Sequence, residues 1–226
     1  MKNEPQRTST LPNGNDIRLP WHLRLPAPLE RDFADYFRGS VASVTPWAAA
    51  SLVALLILAL IVEYTISPEA AAVTWRPRLL CVMLIVATAL IARRADWRRW
   101  LHVSSLAVAF AVALTGNWMG LNVDHAMAFG LFLQTPLAIL MACVVLRVPF
   151  HLAAVSSLAM LGILVLTLFG SDRVDRDLSL VLLLLSVASA SMSLFGQYIY
   201  ERLLRQHFLS ENVLFQHRDE LHSANR

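Results

Sequence analysis

Charge is what this chain has least of. Asp, Glu, Lys and Arg make up 15% of its 226 residues, against about 25% in an ordinary soluble domain. Cysteine is nearly absent as well, with Cys81 and Cys143 the only two. No Gly-rich phosphate loop occurs, nor a Walker lysine, nor a Ser or Cys nucleophile spaced to meet a His. Paired metal ligands at zinc-like spacing are missing too. These gaps argue against an enzyme, a metalloprotein and a chain dependent on a cofactor. The net charge of +3 is too small to suggest nucleic acid as a partner.

What fills the space is apolar. Hydrophobic residues make up 57% of the chain and the mean hydropathy is +0.55. They fall into six runs, about 46–66, 77–92, 100–121, 126–146, 150–170 and 178–199. Each is close to the roughly 20 residues a helix needs to cross about 30 Å of hydrocarbon. The runs are apolar all round rather than along one stripe, which suits lipid and not a water-facing surface. The expected fold class is therefore all-α: a polytopic membrane protein with six transmembrane helices. Three parts follow: a cytoplasmic segment 1–45, a bundle 46–199 and a cytoplasmic tail 200–226. Of the nineteen basic residues, only Arg76, Arg78, Arg173 and Arg176 fall in the loops on one side. The remaining fifteen lie in the N-terminal segment, at 93–99, at Arg147 and in the tail, so the positive-inside bias puts both termini in the cytoplasm. The first 45 residues hold no apolar signal-peptide core, and the first run is expected to act as its own insertion signal. Cys81 then sits near the outer end of the second span and Cys143 near the inner end of the fourth. Their depths differ by roughly 20 Å, too far for a disulfide, and both read as packing residues.

Along the chain, residues 1–26 are polar and read as a disordered lead-in. In "APLERDFADYFRGS", Leu29, Phe33, Tyr36 and Phe37 share a face, which predicts a short amphipathic helix over about 27–40. It lies on the membrane surface or docks against an output domain. The second span is the shortest, and Arg76 and Arg78 are expected to snorkel outward so that it fits. Pro136 predicts a kink in span four. Gly116 with Gly120 in span three, and Ser189, Ser193 and Gly196 in span six, are small residues at packing spacing. They serve the bundle itself or, in span six, a dimer seam.

Polar groups near the spans are the candidate sensing cluster: Glu63, Tyr64, Asn117, Asn122, Asp124, His125 and Gln134. All fall in the outer half. They either line a cavity for a proton, a metal or a small polar ligand, or simply face headgroup water. His125 beside Asp124 would titrate near neutral pH. His102 and His151 begin spans three and five, where interfacial His is commonplace, and haem ligation is not expected.

Span six has no Gly or Pro after Gly196, so its helix should run on into the cytoplasm. Tyr200, Leu204, His207, Glu211, Leu214, Arg218 and Leu221 follow a 4-3 alternation, a partly polar seam suited to a parallel dimer that changes state. Arg202, Arg205 and Arg218 balance Glu201, Glu211 and Asp219 on an ordinary solvated surface. The pattern "RLPAPLERDFADYF", then six spans, then "YERLLRQHFLSENVLFQHRDELHSAN" resembles the membrane sensor region of bacterial GGDEF-type diguanylate cyclases. A similar region precedes some class III adenylate cyclases. In that family the signalling helix leads into the catalytic domain near an "AN" step like Ala224–Asn225. No GGDEF or GGEEF loop is present here.

The resemblance implies a sensory and anchoring module in a bacterial inner membrane. Its implied partners are the lipid bilayer, a second copy through span six and the tail, and a GGDEF-like output domain in cis or in trans. The competing reading is a small transporter or channel subunit with a polar path in its outer half. A transporter should place ionisable groups near the midplane, in broken helices. Here almost all lie at span ends.

Overall fold

The computed structural model describes residues 23, 25–123, 125–170 and 174–224. Every regular element among them is helical. Helix α1 spans Ala27–Ile66, α2 Pro68–Arg93, α3 Leu101–Asn122, α4 His125–Phe132, α5 Gln134–Leu140, α6 Phe150–Phe169 and α7 Arg176–Ala224. A 3₁₀ turn at Ala95–Trp100 links α2 to α3, and a π-helical segment, Met141–Val145, follows α5. Among the described residues, five helices are long and apolar enough to cross a membrane: α1, α2, α3 with its 3₁₀ lead-in, α6 and α7.

Three expectations need correction. The fourth apolar run is not one helix. It breaks at Leu133 between α4 and α5, and the π-helical segment then continues α5. Pro136 supplies the cause of the break, since it has no N–H to donate and its ring clashes with the carbonyl four residues back, Phe132. Next, the second span is not short. It starts at Pro68 rather than Pro77, with Ser67 extended and its Oγ accepting from the Ala70 N–H at 3.3 Å. Pro68 then occupies the first helical position, where the missing N–H is harmless. Finally, the segment 27–40 is no separate surface helix. It forms the first turns of the 40-residue α1, and its apolar face is covered: Leu29 is 4% exposed, Phe33 and Phe37 each 3%.

The molecule divides into two compact units. The larger, Arg38–Ile199, packs around α3. Its core joins Ala49 and Leu52 of α1, Cys81 and Ile85 of α2, Val108 and Ala109 of α3, and Ala138 and Ile139 of α5. Met160 of α6 and Ala190 of α7 complete it. Cys81 and Cys143 are free and buried within it. Its outer surface is unlike that of a soluble protein. Leu58, Leu158, Leu166 and Leu184 are all more than half exposed, as expected where hydrocarbon is the solvent. Guanidinium groups lie over tryptophan rings, Arg76 on Trp75 near the start of α2 and Arg94 on Trp97 just beyond its end. From Trp75 to Arg93 a helix rises about 27 Å, close to the hydrocarbon thickness that interfacial Trp and Arg bracket.

The close approach of α3 to α4 and α5 depends on glycine. A Cβ at Gly116 would stand 2.6 Å from the Gln134 Cβ and 2.9 Å from the Leu131 carbonyl oxygen. One at Gly120 would stand 2.8 Å from the Phe132 ring. In span six, Ser193 is buried, Ser189 half-buried and Gly196 exposed, with open space where its Cβ would be. Among the described residues, Gly196 therefore packs against nothing.

The smaller unit comprises Met1–Phe37 and Tyr200–Arg226, of which residues 1–22, 24, 225 and 226 lie outside the described residues. Most of the expected disordered lead-in and the Asn225 half of the "AN" step fall there, but at the end of the lead-in Leu23 and Leu25 are buried, against that expectation.

Candidate functional site

Glu63 sits one turn before the end of α1, inside an otherwise apolar stretch. A carboxylate there needs a partner, because burying it unpaired in a low-dielectric region costs several kcal/mol. The partner is Arg78 of α2, whose Nη2 donates to Glu63 Oε1, and Thr74 Oγ1 donates to Oε2 at 2.7 Å. Arg78 is only 4% exposed. The expectation that it snorkels outward is therefore overturned, since its charge is neutralised from within. Arg76, two residues earlier, does remain exposed, with its guanidinium over Trp75.

Glu63 and Arg78 stand at the wall of a cavity of about 690 Å³. Gln134, the first residue of α5, is the third polar group in its lining. The rest is apolar, including Leu52 and Leu55 of α1, Ile85 of α2, Leu131 of α4 and Met141 of the π-helical segment. The helix break at Leu133 thus places two halves of one apolar run on the same cavity. Arg78 Nε and Nη1 are buried and have no hydrogen-bond partner among the described residues.

A second polar contact joins α3 to α5. Thr135 Oγ1 donates to Asn117 Oδ1 at 3.0 Å, both residues being buried, while Asn117 Nδ2 has no partner among the described residues. The remaining candidates scatter. Tyr64 is exposed, and Asn122 is exposed with its Nδ2 donating to the Trp118 carbonyl at 2.7 Å. Asp124 and the His125 side chain lie outside the described residues. Of the seven, the structure brings Glu63 and Gln134 to one cavity, sets Asn117 against Thr135, and leaves Tyr64 and Asn122 on the surface.

Sequence reasoning missed Thr74 and Thr135, and it gave Arg78 the wrong role. A signal for Arg78 existed: a lone acid inside an apolar run, followed by only two cations before the next run. Thr74 and Thr135 carry no such signal, because a hydroxyl in a helix is satisfied equally well by its own backbone. Gln197 was missed too. It is buried on α7 and donates from Nε2 to the Val148 carbonyl at 2.7 Å, while Tyr198 meets Phe150 edge-on at 5.5 Å. Together they tie α7 to the start of α6.

In the smaller unit, Glu30 accepts from Arg205 Nη1 and Nη2, both at 2.8 Å, and from the Leu25 N–H at 2.8 Å. Glu201 accepts from Arg205 Nε at 3.1 Å and Nη2 at 2.9 Å. Arg205 lies 4.2 Å from the Phe33 ring centroid, and Phe33 and Tyr36 both meet Phe208. Arg205 was expected on the solvated surface, but it is only 6% exposed. Burial draws its pKa down, yet hydrogen bonds and charge from Glu30 and Glu201 more than offset this and hold it above the ordinary arginine value. The Tyr36 phenol is likewise raised, by burial first and then by Glu211 and Tyr200.

The seam expected on the tail lies on another face of α7. Leu204 is half-buried, Leu214 is 69% exposed and Arg218 is exposed. His207 Nε2 is 3.3 Å from Glu211 Oε1 at the surface. The Leu221 side chain lies outside the described residues.

Comparison with known proteins adds one match. The family model MASE8 matches residues 61–214, more than half of the chain. MASE regions are membrane-associated sensory regions of GGDEF- and adenylate-cyclase-type proteins. No match occurs among curated proteins or solved structures.

Proposed function

The chain belongs to the MASE8 family, and from that premise we propose that it is the input module of a bacterial cyclase-type receptor. It sits in the inner membrane as a multi-pass protein with both termini in the cytoplasm. It carries no catalysis of its own and no cofactor. A change in the bundle passes along α7 to the tail, which pairs with the tail of a second copy. The pair then sets the spacing of two GGDEF-like output domains, attached in cis or recruited in trans.

The observation that carries this reading is α7 itself. One helix of 49 residues starts in an apolar stretch and ends in a polar one. At 1.5 Å per residue it is about 73 Å long, more than twice the hydrocarbon thickness. A helix is stiff over that distance, so a rotation or shift at one end reaches the other. The exposed face with Leu214 supports a place for the second copy. A transporter would share the break between α4 and α5, but family membership favours the receptor.

The test is a register scan. A diguanylate cyclase catalytic domain is fused after Arg226, and one to four alanines are inserted after Ala224. A helical relay predicts cyclic di-GMP output that falls with one or two insertions and recovers with three or four, following the 3.5-residue repeat. Output that ignores insertion length would mean that the helix is only a tether.

A further inference from the structure

We propose that the cavity between α1, α2 and the α4–α5 break binds an uncharged amphiphile: an apolar tail with a hydrogen-bond-accepting head, such as an ester or other carbonyl, held by Arg78. Three observations converge on this class.

The first is shape and lining. A volume of about 690 Å³ falls in the range of small-molecule sites. The walls are almost entirely Leu, Val, Ile, Ala and Met. Leu55, Leu58, Val62 and Ile66 on its α1 side are all exposed, so the mouth opens to hydrocarbon and the ligand enters from lipid.

The second is unmet hydrogen bonding. Arg78 is nine-tenths buried and more, yet Nε and Nη1 find no acceptor among the described residues. Donors of a charged group left unsatisfied away from water carry a desolvation penalty. Arg78 lines the cavity, and a ligand acceptor that reaches either nitrogen after a small shift of the side chain would remove that penalty. Gln134 adds a side-chain amide that can accept or donate.

The third is charge balance. Glu63 already neutralises Arg78 through a direct ion pair. A carboxylate or phosphate head would bring an uncompensated negative charge into a low-dielectric wall, which is strongly unfavourable. A neutral acceptor satisfies the donors without that penalty. The ligand's role as the stimulus rests on the sensory reading above; its binding does not.

The test uses the full chain, purified and reconstituted in phosphatidylcholine nanodiscs. Retention of radiolabelled methyl palmitate is compared with that of hexadecane, which has no head, and of palmitate, whose head is anionic. The expected result is retention of the ester at least about tenfold above both, the scale of one hydrogen bond to a charged donor. Gly130→Leu fills the cavity wall from a position where an added Cβ meets open space. It should abolish ester retention with an unchanged melting temperature. The charge-neutral double variant Glu63→Gln/Arg78→Gln should retain ester and hexadecane alike. Ester retained no better than hexadecane by the unaltered chain, or retained by Gly130→Leu, overturns the proposal. So does phospholipid that co-purifies with the unaltered chain but not with Gly130→Leu while the ester is excluded, since bulk lipid would then be the occupant. In the cyclase fusion, ester binding without any change in cyclic di-GMP would leave the site standing and remove the sensory role.

Discussion

Arg78 shows how a single residue can be read correctly in type and wrongly in place. Its position beside Pro77 in the sequence suits an interfacial cation, and nothing local distinguishes it from Arg76. The difference is tertiary: Glu63 arrives from α1 and turns the guanidinium inward. We expect Arg78→Met to destabilise the fold by about 3–5 kcal/mol, because Glu63 is left buried without its counter-charge. The double variant Glu63→Met/Arg78→Met should regain most of that loss. Thermal unfolding of the detergent-solubilised protein measures both, and a double variant no more stable than the single one would mean that the two side chains are not coupled. Arg205 teaches the same lesson in the smaller unit. The balance of Arg and Glu on the tail looks like an ordinary solvated surface in one dimension. In the fold it is a buried fork, with Glu30, contributed by α1 from 175 residues away in sequence, on one side and Glu201 on the other. Charge inventories are legible in a sequence; the pairing that long-range packing imposes on them is not.

At the scale of elements, most of the helices are visible in the sequence because their cause is local. Long apolar runs without periodicity give α3, α6 and the apolar part of α7 nearly at their observed limits. The misses have physical reasons of two kinds. Pro77 looks like a helix start, but a proline inside a long helix is tolerated where neighbouring helices re-satisfy the freed carbonyl, so α2 runs through it from Pro68. Pro136, expected to kink its span near the preceding turn, does so, and there the chain breaks into α4 and α5. The same residue type thus has different consequences in two helices. The small-residue spacing at Gly116 and Gly120 is more informative, since α3 meets the broken run there. Gly116→Ala is expected to destabilise by about 1–3 kcal/mol, the range for overpacking a filled contact, because one of the atoms it meets is the Leu131 backbone oxygen. Gly130→Ala, where the Cβ meets nothing, should be neutral or slightly stabilising through helix propensity. Melting temperatures of the two variants decide the matter; equal values would mean that α3 does not need glycine to seat against α5.

For the whole molecule, the question is what the tail does with the face it leaves open. Two helices, α1 and α7, contribute residues to both compact units. Within the smaller unit, α7 turns Glu201, Arg205, Phe208 and Leu209 inward, and all four are buried. The face bearing His207, Glu211 and Leu214 lies about a quarter turn or more away, at 100° per residue, and stays at the surface. Apolar residues at 4-3 positions are what a parallel helix pair buries, and Leu214 is one such residue left exposed. Cysteine at that position should therefore report the pairing directly. With Leu214→Cys, membranes treated with a mild oxidant are expected to give a disulfide-linked dimer. Arg202→Cys, on an exposed position nearly opposite the seam, should give little. The native Cys81 and Cys143 are buried, so they contribute little background. A reporter fused after Arg226 in the same membranes should be cytoplasmic, since three of the four arginines of α7 lie on the tail side of its apolar stretch. Equal crosslinking at Leu214→Cys and Arg202→Cys would mean collision rather than a seam, and the proposed pairing of tails would fall.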